Sequence, residues 1–135
     1  MPALPEQLTP AGLEFLRERH LATFTSLRSD GSPHVTPVGF TWDARHNLAR
    51  VITSRSSRKA RNAERGSLAA ICQMQGRHWL TLQGTCHVAT DPAAVADAVV
   101  RYTERYRAPR QNPTRVAIEI AVTRVFGSSA FITPL

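Results

Sequence analysis

Hydrophobic positions along this chain switch between two periods, and the switches mark its elements. After Leu8-Thr9-Pro10 the apolar residues recur at helical spacing. Leu13, Leu16 and His20 share a face, which predicts a helix over residues 10–19. Thr9 suits the N-cap, Pro10 the first helical position, and Leu8 can staple onto Leu13. The period then drops to two. Residues 21–28 read as a strand, Ser29-Asp30-Gly31-Ser32 as a hairpin turn, and residues 33–42 as the returning strand. A turn over 43–47 leads to a third strand at 48–53, and a short helical stretch stops at Gly66. Strands follow at 67–74 and at 78–89, around a turn near Gly76. Asp91-Pro92 opens a further helix with the stripe Val95, Val99, Tyr102 and Tyr106, and Pro109 ends it. Val116, Ile118, Ile120 and Val122 then alternate with Ala117, Glu119 and Ala121 as a half-buried last strand. Six or so antiparallel strands with two or three helices predict a mainly β protein, a small closed barrel with added helices.

Two residues disturb the second strand. Pro37 forbids a ladder bond, and Gly39 lets another backbone or a ligand come close; an edge strand with a bulge explains both equally well. At 135 residues the chain is sized for one domain spanning 1–135. No run is long enough to span a bilayer. The opening residues lack the charged start and apolar stretch of a signal peptide. Cys72 and Cys86 have no metal-type spacing and read as buried, reduced thiols, so a cytoplasmic protein is expected.

Charge narrows the partners without choosing among them. Seventeen basic residues against ten acidic ones leave a net +7, which calls for an anionic partner. The basic positions are spread out, aromatics are few and no standard nucleic-acid motif is present, which speaks against nucleic acid, and a polyanionic small molecule satisfies the same charge. The most informative segment is Ser54-Arg55-Ser56-Ser57-Arg58-Lys59-Ala60-Arg61-Asn62. Its hydroxyls can cap a helix start, and Arg58, Lys59 and Arg61 add charge suited to phosphate. Lys59 is the one lysine beside sixteen arginines. The plain alternative is a capped, solvated basic helix.

Side-chain catalysis has little support. Five histidines show no metal-type pairing, and no metal site is expected. Nucleophile elbows and nucleotide-binding glycine loops are absent, as is any carboxylate couple. Chemistry, if present, must come from a bound cofactor. Trp79 is either core or a surface on which a ligand stacks at a subunit edge.

The strand ending Val51-Ile52-Thr53, followed by Ser57-Arg58-Lys59 and Asn62, resembles the phosphate-binding segment of the flavin/deazaflavin split-barrel superfamily that includes the pyridoxamine 5′-phosphate oxidases. Nearly the whole chain is similar to the actinobacterial coenzyme F420-dependent biliverdin reductases. The shared stretches include Phe15-Leu16-Arg17-Glu18-Arg19-His20-Leu21-Ala22, Ser32-Pro33-His34-Val35, Val38-Gly39-Phe40-Thr41, Ala49-Arg50-Val51-Ile52-Thr53, and Arg101-Tyr102 through Arg105-Tyr106-Arg107-Ala108-Pro109-Arg110 with Asn112-Pro113. The resemblance implies an FMN-binding split β-barrel, pyridoxamine 5′-phosphate oxidase-like. It places the cofactor ring against the backbone of Thr36, Pro37, Val38, Gly39 and Phe40. The phosphate falls on Arg58 and Lys59, near Ile52 and Thr53, with Ser57 and Asn62 in the same segment. Trp79 comes from the facing subunit of a homodimer.

Two departures set the chain apart from the oxidases. It lacks their Arg-x-His-type substrate motif near the C-terminus, and Phe40 stands where they carry a basic residue. Both suit a deazaflavin, whose polyglutamyl tail can meet Arg55, Arg61 or Arg65. The implied reaction is hydride transfer from reduced coenzyme F420 to a conjugated acceptor, biliverdin first. Arg101, Arg107 and Arg110 are the candidates for its propionates. No catalytic side chain or proton donor is evident, so solvent is expected to supply the proton. The rival readings are an FMN-binding reductase or oxidase of the same fold, a non-catalytic cofactor or tetrapyrrole carrier, and an RNA-binding domain. No membrane partner is expected.

Overall fold

The computed structural model describes residues 2–134. Seven antiparallel strands form one sheet in the order β2-β1-β5-β6-β7-β4-β3. They are β1 (Ala22–Leu27), β2 (Pro33–Val38), β3 (Thr41–Asp43), β4 (Leu48–Ser54), β5 (Leu68–Gln75), β6 (His78–Ala89) and β7 (Arg115–Gly127). Helix α1 (Pro10–Arg17) precedes the strands, α2 (Arg58–Glu64) lies between β4 and β5, and α3 (Pro92–Arg105) between β6 and β7. The outermost strands, β2 and β3, are consecutive in the chain and separated only by Gly39 and Phe40. Two residues reach at most about 11 Å from Val38 to Thr41. The sheet must therefore curl until its edges face each other, giving the expected barrel with one seam left open.

The residues that fill this barrel follow from the strand alternation. Phe24, Ile71, Leu80, Leu82, Ile118 and Ile120 are fully buried. Curvature comes from a register shift between β6 and β7 at Gln83/Gly84. A Cβ on Gly84 would lie 1.8 Å from the Ala121 carbonyl oxygen, so only glycine permits this crossing. The same bulge re-phases β7. Its alternation breaks at Thr123 and Arg124 and resumes at buried Val125, so the strand runs on to Gly127 rather than stopping at 122.

Two further expectations are corrected. The first helix ends at Arg17, and His20 lies outside it. Glu18 turns to extended geometry because its carbonyl accepts two bonds from the Arg105 guanidinium, at 2.9 and 2.7 Å. The strand read over 33–42 is two strands, since the peptide groups of Phe40 bond elsewhere. Phe40 N–H donates to the Tyr106 hydroxyl at 3.2 Å, and Phe40 C=O accepts from Arg105 at 2.6 Å. Pro37 does sit on an edge strand, where its missing donor costs nothing. No helix among the described residues is long and apolar enough to cross a membrane.

Candidate functional site

At the seam, β2, β4 and α3 surround a cavity of about 360 Å³. Strand β2 supplies Pro37 and Val38, and Gly39 follows it; β4 supplies Val51, Ile52, Thr53 and Ser54; α3 and the following loop supply Tyr102, Pro109 and Asn112. Charge enters from Lys59 on α2 and Arg115 at the start of β7. Gly39 keeps its wall thin. A Cβ there would stand 3.1 Å from the Tyr106 ring and 3.2 Å from the Tyr102 ring, so both aromatics already occupy that side. The close approach that Gly39 allows is thus made by two tyrosines, beside the cavity.

Lys59 is half-buried, and burial lowers the pKa of its ammonium group. No carboxylate pairs with it among the described residues. A partly desolvated cation without a counter-ion gains from binding an anion. Ser57 caps α2, its hydroxyl accepting from Ala60 N–H at 3.2 Å and from the Thr53 hydroxyl at 3.0 Å. That helix is seven residues long, so the charge here belongs to side chains more than to a helix dipole. Arg58 is exposed next to it. On β2, the side chains of His34 and Thr36 lie on the same side as buried Val38. Among the described residues, His34 Nδ1 and Thr36 Oγ1 are buried and have no hydrogen-bond partner, and neither residue lines the cavity itself. A half-buried cation without a counter-ion among the described residues, facing a cavity, suits an anionic ligand.

A second, wider cavity of about 620 Å³ adjoins the first and shares Arg115 with it. Arg55, Arg61 and Glu64 also line this space. Arg65 faces away, bonding Leu27 C=O at 2.8 Å and Asn62 Oδ1 at 2.9 Å, so it is removed from the residues placed to meet a tail.

Several residues singled out from the sequence lie outside the cavity. Asn62 is fully buried, and its amide donates to Ser26 Oγ at 3.0 Å, pinning α2 to β1. The Phe40 ring belongs to the core, and its peptide groups are taken by Tyr106 and Arg105. Arg101 is tied to Asp97 at 2.9 Å and lies 3.6 Å from Asp43. Asp43 is almost fully buried. Burial alone would raise its pKa, but hydrogen bonds from Arg50 and His46 and the Arg101 charge pull it well below the usual carboxylate range. Arg101 thus serves a buried ion network that fastens α3 to β3 and β4. Arg107 and Arg110 are exposed on the loop after α3, flanking Pro109. Trp79 is 38% exposed on β6, packed edge-on against Phe126 at 5.8 Å, and lies outside the cavity.

Sequence reasoning missed Arg115 in the cavity and Arg105 at the seam. Arg115 begins a strand, where a basic residue reads as solvated. Arg105 sits within a basic run on α3, and only tertiary contacts distinguish it from its neighbours.

With this geometry in place, comparison with known proteins is informative. A family model described as pyridoxamine 5′-phosphate oxidase matches residues 8–129. The chain is 52% identical over 123 residues to a biliverdin reductase of Mycobacterium tuberculosis that depends on reduced F420, covering 91% of this chain and 90% of the relative. A solved conserved hypothetical protein of Mycobacterium tuberculosis superposes with a TM-score of 0.75 at 20% identity, over 90% of this chain and 86% of that one. A solved F420 reductase gives a TM-score of 0.68 at 21% identity, over 84% of this chain and 94% of that one. These two structures speak for the fold alone. Taken with the extent of the family match and the closeness of the mycobacterial relative, they lead to one assignment: the chain belongs to the pyridoxamine 5′-phosphate oxidase family, alongside that biliverdin reductase.

Proposed function

We propose that this chain, one cofactor-binding domain over residues 1–135, is a reductase that uses reduced coenzyme F420 to deliver a hydride to biliverdin, giving bilirubin. The observation that carries the reading is a bare, half-buried Lys59 facing a cavity walled by Pro37, Val38 and Gly39, in a chain 52% identical to a reductase of that kind. Bound reduced F420 supplies the hydride. The protein orients the ring and the acceptor, neutralises charge and excludes water. Lys59 and Arg58 hold the phosphate beside Ile52, Thr53 and Ser57. The ring rests on residues 36–39, and Arg55, Arg61 and Arg115 draw an anionic tail into the wider cavity. Arg107 and Arg110, both exposed on the loop that carries Pro109, are the candidates to receive the acceptor's propionates.

A second subunit completes the site in this reading. Val35, Leu68, Met74 and Trp79 are exposed on the outward side of the sheet, which is the signature of a covered face. The unpaired thiols of Cys72 and Cys86 suit the cytoplasm as the place of action.

The test is a titration of the purified protein with F420 and, separately, with FMN, followed by bilin absorbance under reduced F420 or NADPH. Tight F420 binding, weak FMN binding and turnover only with reduced F420 are expected. Equal rates with NADPH would sink the assignment. Tight binding without turnover would favour a carrier.

A further inference from the structure

We propose that His34 and Thr36 extend the anion subsite around Lys59, and that His34 takes up a proton from solvent when a phosphate group binds there. This rests on the cofactor reading above and adds a regulation to it: retention of the cofactor rises as the pH falls.

The placement is geometric. Alternation along β2 turns Pro33, Val35 and Pro37 outward, and His34, Thr36 and Val38 inward. In register with β1, His34 stands opposite Ser26 and Thr36 opposite Phe24, both fully buried. The Ser26 hydroxyl is held by Asn62 of α2, so His34 stands one strand away from the point where the helix that carries Lys59 meets β1. Nδ1 of His34 and Oγ1 of Thr36 have no hydrogen-bond partner among the described residues. A buried polar atom without a partner costs on the order of 1–3 kcal/mol, so two on one strand face call for a partner from outside the chain.

Charge sets the direction. The groups acting on His34 from the packed elements are Arg28 at the end of β1, and Lys59 and Arg58 on α2. All three are cations. Asp30, in the turn joining β1 to β2, is occupied by the Ser32 hydroxyl at 2.6 Å and its N–H at 2.9 Å. Burial first, and then these cations, hold the imidazole pKa below its usual value, so it is neutral near pH 7. A phosphate among the same cations reverses the local field. The imidazole then gains a proton and donates to the anion, and Thr36 contributes its hydroxyl. One proton leaves solvent, and no covalent bond changes.

Calorimetric titration with F420 in two buffers of different ionisation enthalpy reads the proton directly. Net uptake is expected for the wild type and none for His34→Gln. Affinity should rise roughly three- to tenfold from pH 8 to pH 6 in the wild type and stay flat in the variant. Thr36→Val should weaken binding while leaving proton uptake in place. Equal uptake in wild type and His34→Gln would overturn the proposal and leave the cofactor reading standing. If F420 does not bind at all, the cofactor reading fails separately. Imidazole resonances of the wild type titrated with inorganic phosphate then decide: a raised His34 titration midpoint supports the subsite, and an unmoved one removes it. The same spectra serve if His34→Gln does not fold.

Discussion

Lys59 carries its charge in partial burial with no counter-ion among the described residues, which separates it from the exposed arginines around it. Replacing it with alanine should cost about 1.5–3 kcal/mol of F420 affinity, the scale of a hydrogen bond to a charged group. A merely solvated lysine would leave the dissociation constant unchanged and shift stability by less than about 0.5 kcal/mol. Titration with F420 beside thermal melts of the free protein distinguishes the two. Gly39 offers a steric counterpart. A methyl there sits 3.1 Å from Tyr106, whose hydroxyl is itself bonded, donating to His20 C=O at 2.8 Å. Gly39→Ala should therefore destabilise by roughly 1–3 kcal/mol and weaken cofactor binding, read from the melt and the titration. The imidazole of His34 adds a pH dependence. Its folded pKa is depressed, so the unfolded chain binds the proton more readily. The free protein should lose stability as pH falls through the ordinary histidine range near 6.5, and bound F420 should remove that loss. At this scale the sequence spoke where partners are local: Thr9 and Ser57 cap the helices that follow them. It was silent where they are distant. Asn62 and Arg101 have the chemistry of ligand contacts, but their partners Ser26 and Asp43 come from other strands.

Among the elements, α3 and the seam depend on one another. Arg105 reaches from the last turn of α3 to Phe40 C=O, Glu18 C=O and Gln73 Oε1, and its guanidinium lies 4.7 Å from the centre of the Phe40 ring. Burial lowers its pKa, and among the described residues no carboxylate is bonded to it; carbonyl oxygens do that work. Arg105→Met keeps the stem's packing and leaves Phe40, Glu18 and Gln73 without their donor. A loss on the order of 2–4 kcal/mol is expected from a denaturant melt, with weaker F420 binding because Tyr102 and Pro109 shift with the helix. If stability falls while affinity holds, α3 is no wall of the site. The order of strands and helices was legible because period-two and period-3.6 runs are separated by strong turns and caps. Three boundaries were not. Helix α1 stops at Arg17 and the long strand breaks at Gly39–Phe40, because Arg105 and Tyr106 capture the intervening peptide groups. Strand β7 runs past 122 because a bulge hides its renewed alternation.

At the scale of the whole molecule, the barrel presents one face that a lone subunit would leave wet. Val35, Leu68 and Met74 are each more than half exposed, and Trp79 pairs with Met74 across the β5–β6 ladder. Cys72 lies on the same face, between Thr23 and Thr81, whereas Cys86 is fully buried on the other. Burial pushes the Cys86 thiol up to about 11, and its Sγ–H donates to Ser67 C=O at 3.3 Å, so it should resist thiol reagents in the folded protein. The two cysteines therefore report on association without added labels. In a dimer formed through this face both should be protected, and dilution or a charge placed at Leu68 should expose Cys72 alone. The chain's net charge of +7 opposes pairing at low ionic strength, so salt should strengthen the proposed dimer while weakening the proposed phosphate clamp. Trp79→Ala should loosen both the dimer and the cofactor, with little effect on the barrel's own melt. Light scattering, thiol counting and F420 titration across the same concentration series bring these together. A stable monomer that reacts readily at Cys72 and still binds F420 fully would show that one barrel suffices and that this face serves some other purpose.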